Sequence, residues 1–268
     1  MPAEREGPPP DIDISVAHVA RVYDYWLGGK TNFTPDQVAA RAAMRAAPHV
    51  AEGVRGNRAF LARAVRYLVG EAGIRQFLDI GTGIPAADNT HEVAQAMARE
   101  CRVVYVDNDP IVLSHARALL TSATKGTTAY LDEDLRNVAE LIRSASATLD
   151  LTRPVAVMLI GILHCIPDED DPAGIVGQLM DALPSGSYLA ISHPASDVNS
   201  PGVRKLASRL NELMPMKLRF RSQAEVARFF DGLELAEPGL VRGPEWRPDS
   251  GADLGNPAAV WAGVARKN

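Results

Sequence analysis

From residue 76 to residue 192 the chain alternates short apolar runs, at 76–80, 102–106, 127–131, 154–160 and 186–192, with amphipathic stretches of helical period. Alternation of this kind predicts βαβ units around a parallel sheet. Upstream the period is helical throughout. Phe60, Leu61, Ala64, Val65 and Leu68 fall on one face, which predicts a helix capped by Asn57 and stopped by Gly70 and Gly73. Thr34-Pro35-Asp36-Gln37 predicts a capping box with proline at the first helical position, opening a helix through about Ala47. Asp109-Pro110, Asp171-Pro172 and Ser200-Pro201 each place a cap and a first-turn proline where a strand hands over to a helix. The tail differs. Ser222 to Phe230 reads as a capped helix, and Leu233 to Val241 and Ala258 to Arg266 as two strands with no helix between them, most simply an antiparallel pair at the sheet edge. The expectation is one α/β domain over 75–268, a helical N-terminal cap over 13–74 and a disordered lead of residues 1–12.

Composition narrows the partners. With 268 residues, 46% of them hydrophobic, the chain can bury a full core. A net charge of −5 argues against a nucleic-acid binder that relies on its global field, and the basic KLRFR at 217–221 reads as an exposed strand or linker. The longest apolar run, Val155 to Leu163, is too short to span a membrane, and MPAEREGPPP is acidic and proline-rich where a signal peptide would be basic and then apolar. A cytoplasmic location is expected. Cys101 and Cys165 form no CxxC and read as small core residues. His91 and His115 lack ligand spacing, and Asp168 to Asp171, which could in principle recruit magnesium, reads as a solvated loop feeding the Asp171 cap, so no metal is expected.

The chemistry concentrates at FLDIGTGIPAADN, Phe77 to Asn89, where a strand-like run ends in a glycine turn two residues after Asp79. In doubly wound sheets ligands bind beyond the carboxyl ends of the strands at the switch point. Gly81, Gly83 and Ala86 loosely satisfy the dinucleotide pattern GxGxxG/A, which keeps a nicotinamide-dependent oxidoreductase as an alternative. A dinucleotide lays its pyrophosphate on a helix N-terminus, however, and Asp79 would repel it there. S-adenosylmethionine has no phosphate and carries an ammonium and a sulfonium, so an acid at the turn suits it. Asp107, closing VVYVD, stands where a carboxylate can accept from both ribose hydroxyls, which fits either nucleoside ligand. The third strand ends at Tyr130-Leu131-Asp132-Glu133-Asp134-Leu135, where an acid can take the adenine amino group or serve as a helix N-cap.

With these sites in place, LDIGTG, VVYVDNDP and AYLDEDL resemble the first three motifs of class I S-adenosylmethionine-dependent methyltransferases. ARVYDYWLGGKTNF (20–33), GNRAFLARAVRYL (56–68), RQFLDIGTGIP (75–85) and FFDGLELAEPGLV (229–241) resemble, more narrowly, the actinobacterial S-adenosyl methyltransferase family once catalogued only as a domain of unknown function. The resemblance implies a Rossmann-like, mostly parallel seven-stranded sheet with an antiparallel edge hairpin, S-adenosylmethionine as cofactor, and a small-molecule acceptor in, by family impression, specialised metabolism. It implies Asp79, Gly81, Thr82 and Gly83 around the methionine part, Asp107 and Asn108 at the ribose, Asp134 with Leu135 at the adenine, and Gly161 bordering cofactor and acceptor. Arg21 to Phe33 would form a lid: Arg21 and Lys30 meeting the cofactor carboxylate, Tyr23, Trp26 and Phe33 supplying apolar walls, and Gly28-Gly29 acting as a hinge.

Methyl transfer needs alignment of the acceptor and exclusion of water, and a hydroxyl acceptor gains from a base, most readily a histidine. His164 in GILHCIP and His193 in ISHPASD follow the fourth and fifth strands and are the candidates, with a hydrogen-bonded wall residue as the alternative for His164. Gly161 to Pro167 lacks the Asn/Asp-Pro-Pro-aromatic pattern of enzymes that methylate nucleobase amines, and no Pro-Cys pair offers a nucleophile for pyrimidine carbon-5. A protein that binds S-adenosylmethionine without catalysis is the remaining alternative. Oligomeric state has no signature in the sequence.

Overall fold

The computed structural model describes residues 13–114, 127–198, 200–249, 251 and 256–268. The expected lead, 1–12, and His115 lie outside the described residues, as do the side chains of Ser200 and Pro201. Three helices come first: α1 (Val19–Leu27), α2 (Thr34–Ala46) and α3 (Val50–Gly70). The sheet follows as β1 (Gln76–Ile80), α4 (Thr90–Met97), β2 (Arg102–Asp107), a helical stretch at 110–114, β3 (Thr127–Asp132), α5 (Val138–Ala145), β4 (Ala156–Ile160), α6 (Pro172–Asp181) and β5 (Tyr188–Pro194). The tail holds α7 (Ser200–Leu213), α8 (Gln223–Ala227), β6 (Glu234–Leu235), β7 (Val241–Arg242) and β8 (Val260–Arg266).

The strand order is β3-β2-β1-β4-β5-β8-β6, with β7 also on β8. β1 to β5 are parallel, while β8 runs antiparallel to β5 and to both short edge strands. This is the Rossmann-like sheet expected, with eight strands in place of seven. The difference lies at 233–241: the apolar pattern predicts one strand, but after Ala236, whose N–H still reaches Val264 O, residues Glu237 to Leu240 turn away from the ladder through Pro238 and Gly239, leaving a two-residue strand on either side. Proline has no N–H to give a ladder, so the pairing stops where it stands.

Alternation along each strand sorts the core into layers. Leu78, Ile80, Val104 and Val106 face α5 and α6, whereas Phe77, Val103 and Met158 face α3 and α4, where Trp246 is also buried against Phe60. A third apolar cluster lies beyond the sheet, where Val22 of α1 and Ala39, Ala40 and Ala43 of α2 pack on Val203, Leu206 and Leu210 of α7. The N-terminal cap is thus built onto a long crossover helix of the sheet domain.

One buried carboxylate organises the cap. Asp36, fully buried, accepts hydrogen bonds from His18 N (2.9 Å) and Arg21 Nε (3.1 Å) on Oδ1 and from Phe33 N (2.8 Å) on Oδ2. Arg21, also buried, completes its shell on Val16 O at 2.6 Å and lies over the Phe33 ring. Thr34 is accordingly the first residue of α2, not its cap, and Asp36 plays the acidic half of a capping box across two helices. Asn57 is a second correction, because α3 begins at Val50 and carries Asn57 in its interior. Gly70 and Gly73 end the helix as expected, Gly73 with φ +71°.

Replacing Asp36 by alanine leaves the buried Arg21 guanidinium without its partner, so Asp36→Ala is expected to cost about 3–5 kcal/mol in urea unfolding. The double change Arg21→Met with Asp36→Leu recovers most of that loss. A single-variant loss below about 1 kcal/mol, the range of an exposed pair, would show that the cap does not hang on this contact.

Candidate active site

The sheet order reverses between β1 and β4, and the turns that follow these two strands meet there. Gly81 takes φ +73° and Gly161 φ +71°; a Cβ on Gly81 would stand 2.4 Å from Ile162 Cγ1. Both glycines are therefore demanded by handedness, and Gly81 by the close approach of the β4 turn as well. Gly83 N donates to Asp107 Oδ2 and Asp109 N to Asp107 Oδ1, each at 2.9 Å, which ties the glycine turn to the end of β2. Burial pushes the Asp107 carboxyl above its usual range against those two bonds.

Asp79 is buried in the lining of the same crevice and accepts a 2.6 Å hydrogen bond from Thr90 Oγ1 at the first residue of α4. Burial raises its pKa to about 6, with the Thr90 bond and the nearby Arg58 charge pulling the other way. Two consequences bear on the ligand. The helix after the glycine turn begins only at Thr90, so Ala86 is not the small helical residue that a dinucleotide fingerprint needs, and a carboxylate already sits at that helix N-terminus. A pyrophosphate does not fit there.

The crevice continues into a cavity of about 300 Å³ roofed by α1, walled by α3 and α7, and floored by the ends of β1, β4 and β5. Its walls include Trp26, Leu206, Leu210, Met214, Leu218 and Phe220. Polar atoms without a hydrogen-bond partner gather in the lining: Asn57 Oδ1, Arg58 Nε, His164 Nδ1 and Ser192 Oγ. Unpaired buried polar groups are costly and rare, so such a concentration marks a ligand surface. His164 sets its Nε2 3.7 Å from Cys165 Sγ, and burial, reinforced by the Arg221 charge, lowers its pKa to about 4. The roof is fixed at its start by His18, whose Nδ1 lies 2.8 Å from Asp109 Oδ2.

A sequence profile of the S-adenosyl methyltransferase family matches residues 5–268. The chain belongs to that family. A crystal structure of a DUF574 family protein from Streptomyces avermitilis shares 47% identity and superposes with a TM-score of 0.91 over 96% of this chain and 99% of that one. A second, from Thermobifida fusca, shares 41% identity with a TM-score of 0.90 over 97% and 98% of the two chains. Human N-acetylserotonin methyltransferase, solved with S-adenosylmethionine, is 14% identical with a TM-score of 0.51 over 92% of this chain and 70% of that one, a likeness of fold. No curated protein matches the chain. The enzyme is thus an S-adenosylmethionine-dependent methyltransferase.

Its expected site residues divide. Asp79, Gly81, Thr82, Gly83, Asp107, Asn108, Gly161, Tyr23, Trp26 and His164 all line the cavity. Asp134 stands one bond outside it, reached through Asn108 Nδ2 at 3.3 Å; it accepts from Arg136 N and pairs with the Arg136 guanidinium, and the cap of α5 is Asn137. Leu135 is buried in the core.

Five expectations are corrected. Arg21 is spent on Asp36, Lys30 is exposed, and Phe33 packs under Arg21, so none of the three lines the cavity. His193 is fully buried with Nδ1 on Pro194 O (3.0 Å) and Nε2 on Arg221 Nη1 (3.1 Å), a buttress behind His164 with no access to a substrate. Gly28 and Gly29 have local explanations other than a hinge: Gly28 is the left-handed C-cap of α1, and a Cβ on Gly29 would overlap the Asp24 carboxylate at 1.9 Å.

The KLRFR stretch, expected as an exposed strand or linker, is exposed only at Lys217 and Arg219. Leu218 and Phe220 point into the cavity, while Arg219 and Arg221 pair with Asp168. That pairing, with Arg136 on Asp170 and the Asp171 cap of α6, accounts for the acidic loop, and no group of metal-ligand type occurs among the described residues. Nor is any described helix long and apolar enough to cross a membrane.

Asn57, Arg58, His18 and Ser192 are the residues that sequence reasoning missed. Asn57 had a visible signal, since it shares the apolar face of α3 with Leu61 and Ala64 at helical spacing.

A buried acid with a raised pKa makes stability fall as pH rises. Between about pH 4 and about pH 6 the folded chain keeps a proton on Asp79 that the unfolded chain has released, so this residue's contribution declines across that window. Asp79→Asn stays neutral and removes that slope. Unfolding free energies of the two proteins should therefore diverge as pH rises from about 4 to about 6, with the variant gaining relative to the wild type; parallel curves would refute a perturbed Asp79.

Proposed function

We propose that the methyltransferase holds S-adenosylmethionine along the ends of β1 and β2 and passes its methyl group to a small molecule seated in the apolar part of the same cavity. The observation that carries this is the presence of Arg58 and Asp79 in one cavity lining. Among the described residues Arg58 is the only lysine or arginine in the cavity lining, its Nε is buried without a partner, and its charge reaches Asp79. Its Nη2 is anchored on the carbonyls of Ala87 and Asp88 at 2.8 and 3.0 Å, which fixes the guanidinium over the glycine turn. A cation and an anion lining one low-dielectric crevice match the carboxylate and ammonium of an amino-acid ligand end. Asp107, preset by Gly83 N and Asp109 N, keeps lone pairs for ribose hydroxyls, and Asn108 with Asp134 borders the adenine end.

Bound S-adenosylmethionine supplies a methyl group already activated by its sulfonium. The protein's part is to hold and orient. α1 covers the crevice and keeps water out, and His164 presents an imidazole that is neutral at physiological pH. A histidine with a pKa near 4 is a poor base and a good hydrogen-bond acceptor, so it positions the acceptor group.

Isothermal titration calorimetry with S-adenosylmethionine, S-adenosylhomocysteine and reduced nicotinamide dinucleotide tests the cofactor site. The first two should bind and the third should not. Arg58→Gln and Asp107→Ala should each weaken S-adenosylhomocysteine by more than about tenfold, as loss of a charged hydrogen bond worth about 1.5–3 kcal/mol requires. Unchanged affinity in a folded Arg58→Gln protein would remove Arg58 from the site.

A further inference from the structure

The cavity is electrostatically lopsided, and the lopsidedness selects an acceptor. Its titratable lining side chains, apart from Arg58, Asp79 and Asp107 at the glycine turn, are each committed elsewhere or neutral. His18 meets Asp109, His49 meets Glu52, and Asp24 accepts from Thr31 N and Asn32 Nδ2 with Gly29 pressed against it. Two guanidinium groups come close in sequence to the chamber wall but are turned from it. Arg221 spends its donors on Leu163 O, Ile166 O, Asp168 and His193, and Arg219 on Asp168, Glu225 and Phe220 O. The chamber between α1 and α7 is otherwise made of Trp26, Leu206, Leu210, Met214, Leu218 and Phe220. A phosphate or carboxylate placed there would lose its hydration with no cation to replace it, and an ammonium would find only uncharged acceptors and the already hydrogen-bonded Asp24.

Besides Asn57 Oδ1, which comes from α3 beside Gly161, two polar atoms break the apolar surface, His164 Nδ1 and Ser192 Oγ, both buried and both without partners. They lie on the turn after β4 and at the end of β5, adjacent strand ends joined by Gly161 N to Ser192 O at 3.0 Å. His164 is held in place by edge contacts with Phe220 (6.1 Å between ring centres) and His193 (6.2 Å), and by the Arg221 shell behind it. With the ring proton on Nε2, turned to Cys165 Sγ at 3.7 Å, His164 Nδ1 is a fixed acceptor in the apolar wall.

Resting on the cofactor assignment above, we propose that the acceptor substrate is an uncharged, mainly apolar small molecule that carries one hydroxyl or N–H donor, seated between α1 and α7 with that donor on His164 Nδ1. The discrimination is twofold. Walls whose charged groups are already engaged reject ionised congeners, and His164 Nδ1 with Ser192 Oγ sets which atom of the ligand turns toward the strand ends, where the methyl group is delivered.

The test uses the full chain saturated with S-adenosylhomocysteine and follows four probes by calorimetry: 2-naphthol, 2-naphthylamine, 2-methoxynaphthalene and 6-hydroxy-2-naphthoate. Naphthol and naphthylamine should bind. The methoxy compound, which has no donor, should be about fivefold to tenfold weaker, the yield of one neutral hydrogen bond, and the carboxylate weaker still. In His164→Leu the naphthol and methoxy compounds should become equal, with S-adenosylhomocysteine titration reporting that the variant is folded. In Leu210→Arg the preference should turn toward the naphthoate. Binding of the naphthoate as tight as that of naphthol in the wild type overturns the proposal, as does a donor preference that survives in His164→Leu, or a failure of both neutral donors to bind at about millimolar concentration. If the wild type does not bind S-adenosylhomocysteine at all, the cofactor assignment itself has failed, a result distinct from any of these.

Discussion

The burial of Asp36 is the constraint on which the working parts of the cap depend. A carboxylate with no exposed surface must have its lone pairs filled, and the groups that fill them are the first backbone N–H before α1, an arginine of α1 and the N–H that precedes α2. Two short helices that could not be stable alone are thereby fixed at one angle to each other. α1, so fixed, closes the cavity over the strand ends, and its opening residue His18 reaches Asp109, two residues past the acid of β2. A charge far from any ligand thus determines where the roof of the site lies.

Below that roof the site is arranged by separating charge from apolar surface. Among the described residues the one lysine or arginine of the lining stands near the glycine turn, where Arg58 comes from α3, Asp79 from β1 and Asp107 from β2. Arginines that could have spoiled the other half are absorbed by the 163–171 segment, whose carbonyls and Asp168 saturate Arg221. Their effect on the chamber is indirect. Arg221 keeps His193 in one tautomer, accepting at Nε2, and its field helps to keep His164 unprotonated.

The sheet was legible in the sequence because strand signals are local: the five apolar runs coincide with β1 to β5 to within two residues, and the caps Asp171 and Ser222 hold α6 and α8 as their residue types predict. Residues at strand ends were equally legible, since the fold places the ends of β1, β2 and β4 together, and so Asp79, Gly81, Asp107 and His164 met as expected. What failed was ranking by charge alone. Arg21 and Lys30 resembled carboxylate anchors because they were cations near aromatic residues, yet the partner that claims Arg21 lies fifteen residues away on another helix. Asn57 looked like a cap because Asn favours caps, and only the extra turns of α3 before it show a polar side chain facing the cavity. His193 was misassigned for a related reason: strand-end position does not say whether a side chain points into the crevice or into the wall behind it.

The interrupted edge at β6 and β7 bears on how this chain meets others like itself. A long flat edge strand offers a row of free N–H and C=O groups on which a neighbouring chain can add a strand. Here that side of the sheet ends in two pieces of two residues each, split by a loop containing a proline. An incoming strand would find too short a run to register against, so the shape of the backbone blocks β-sheet growth between molecules on this side, and the exposed charge of Glu234 on β6 adds to it.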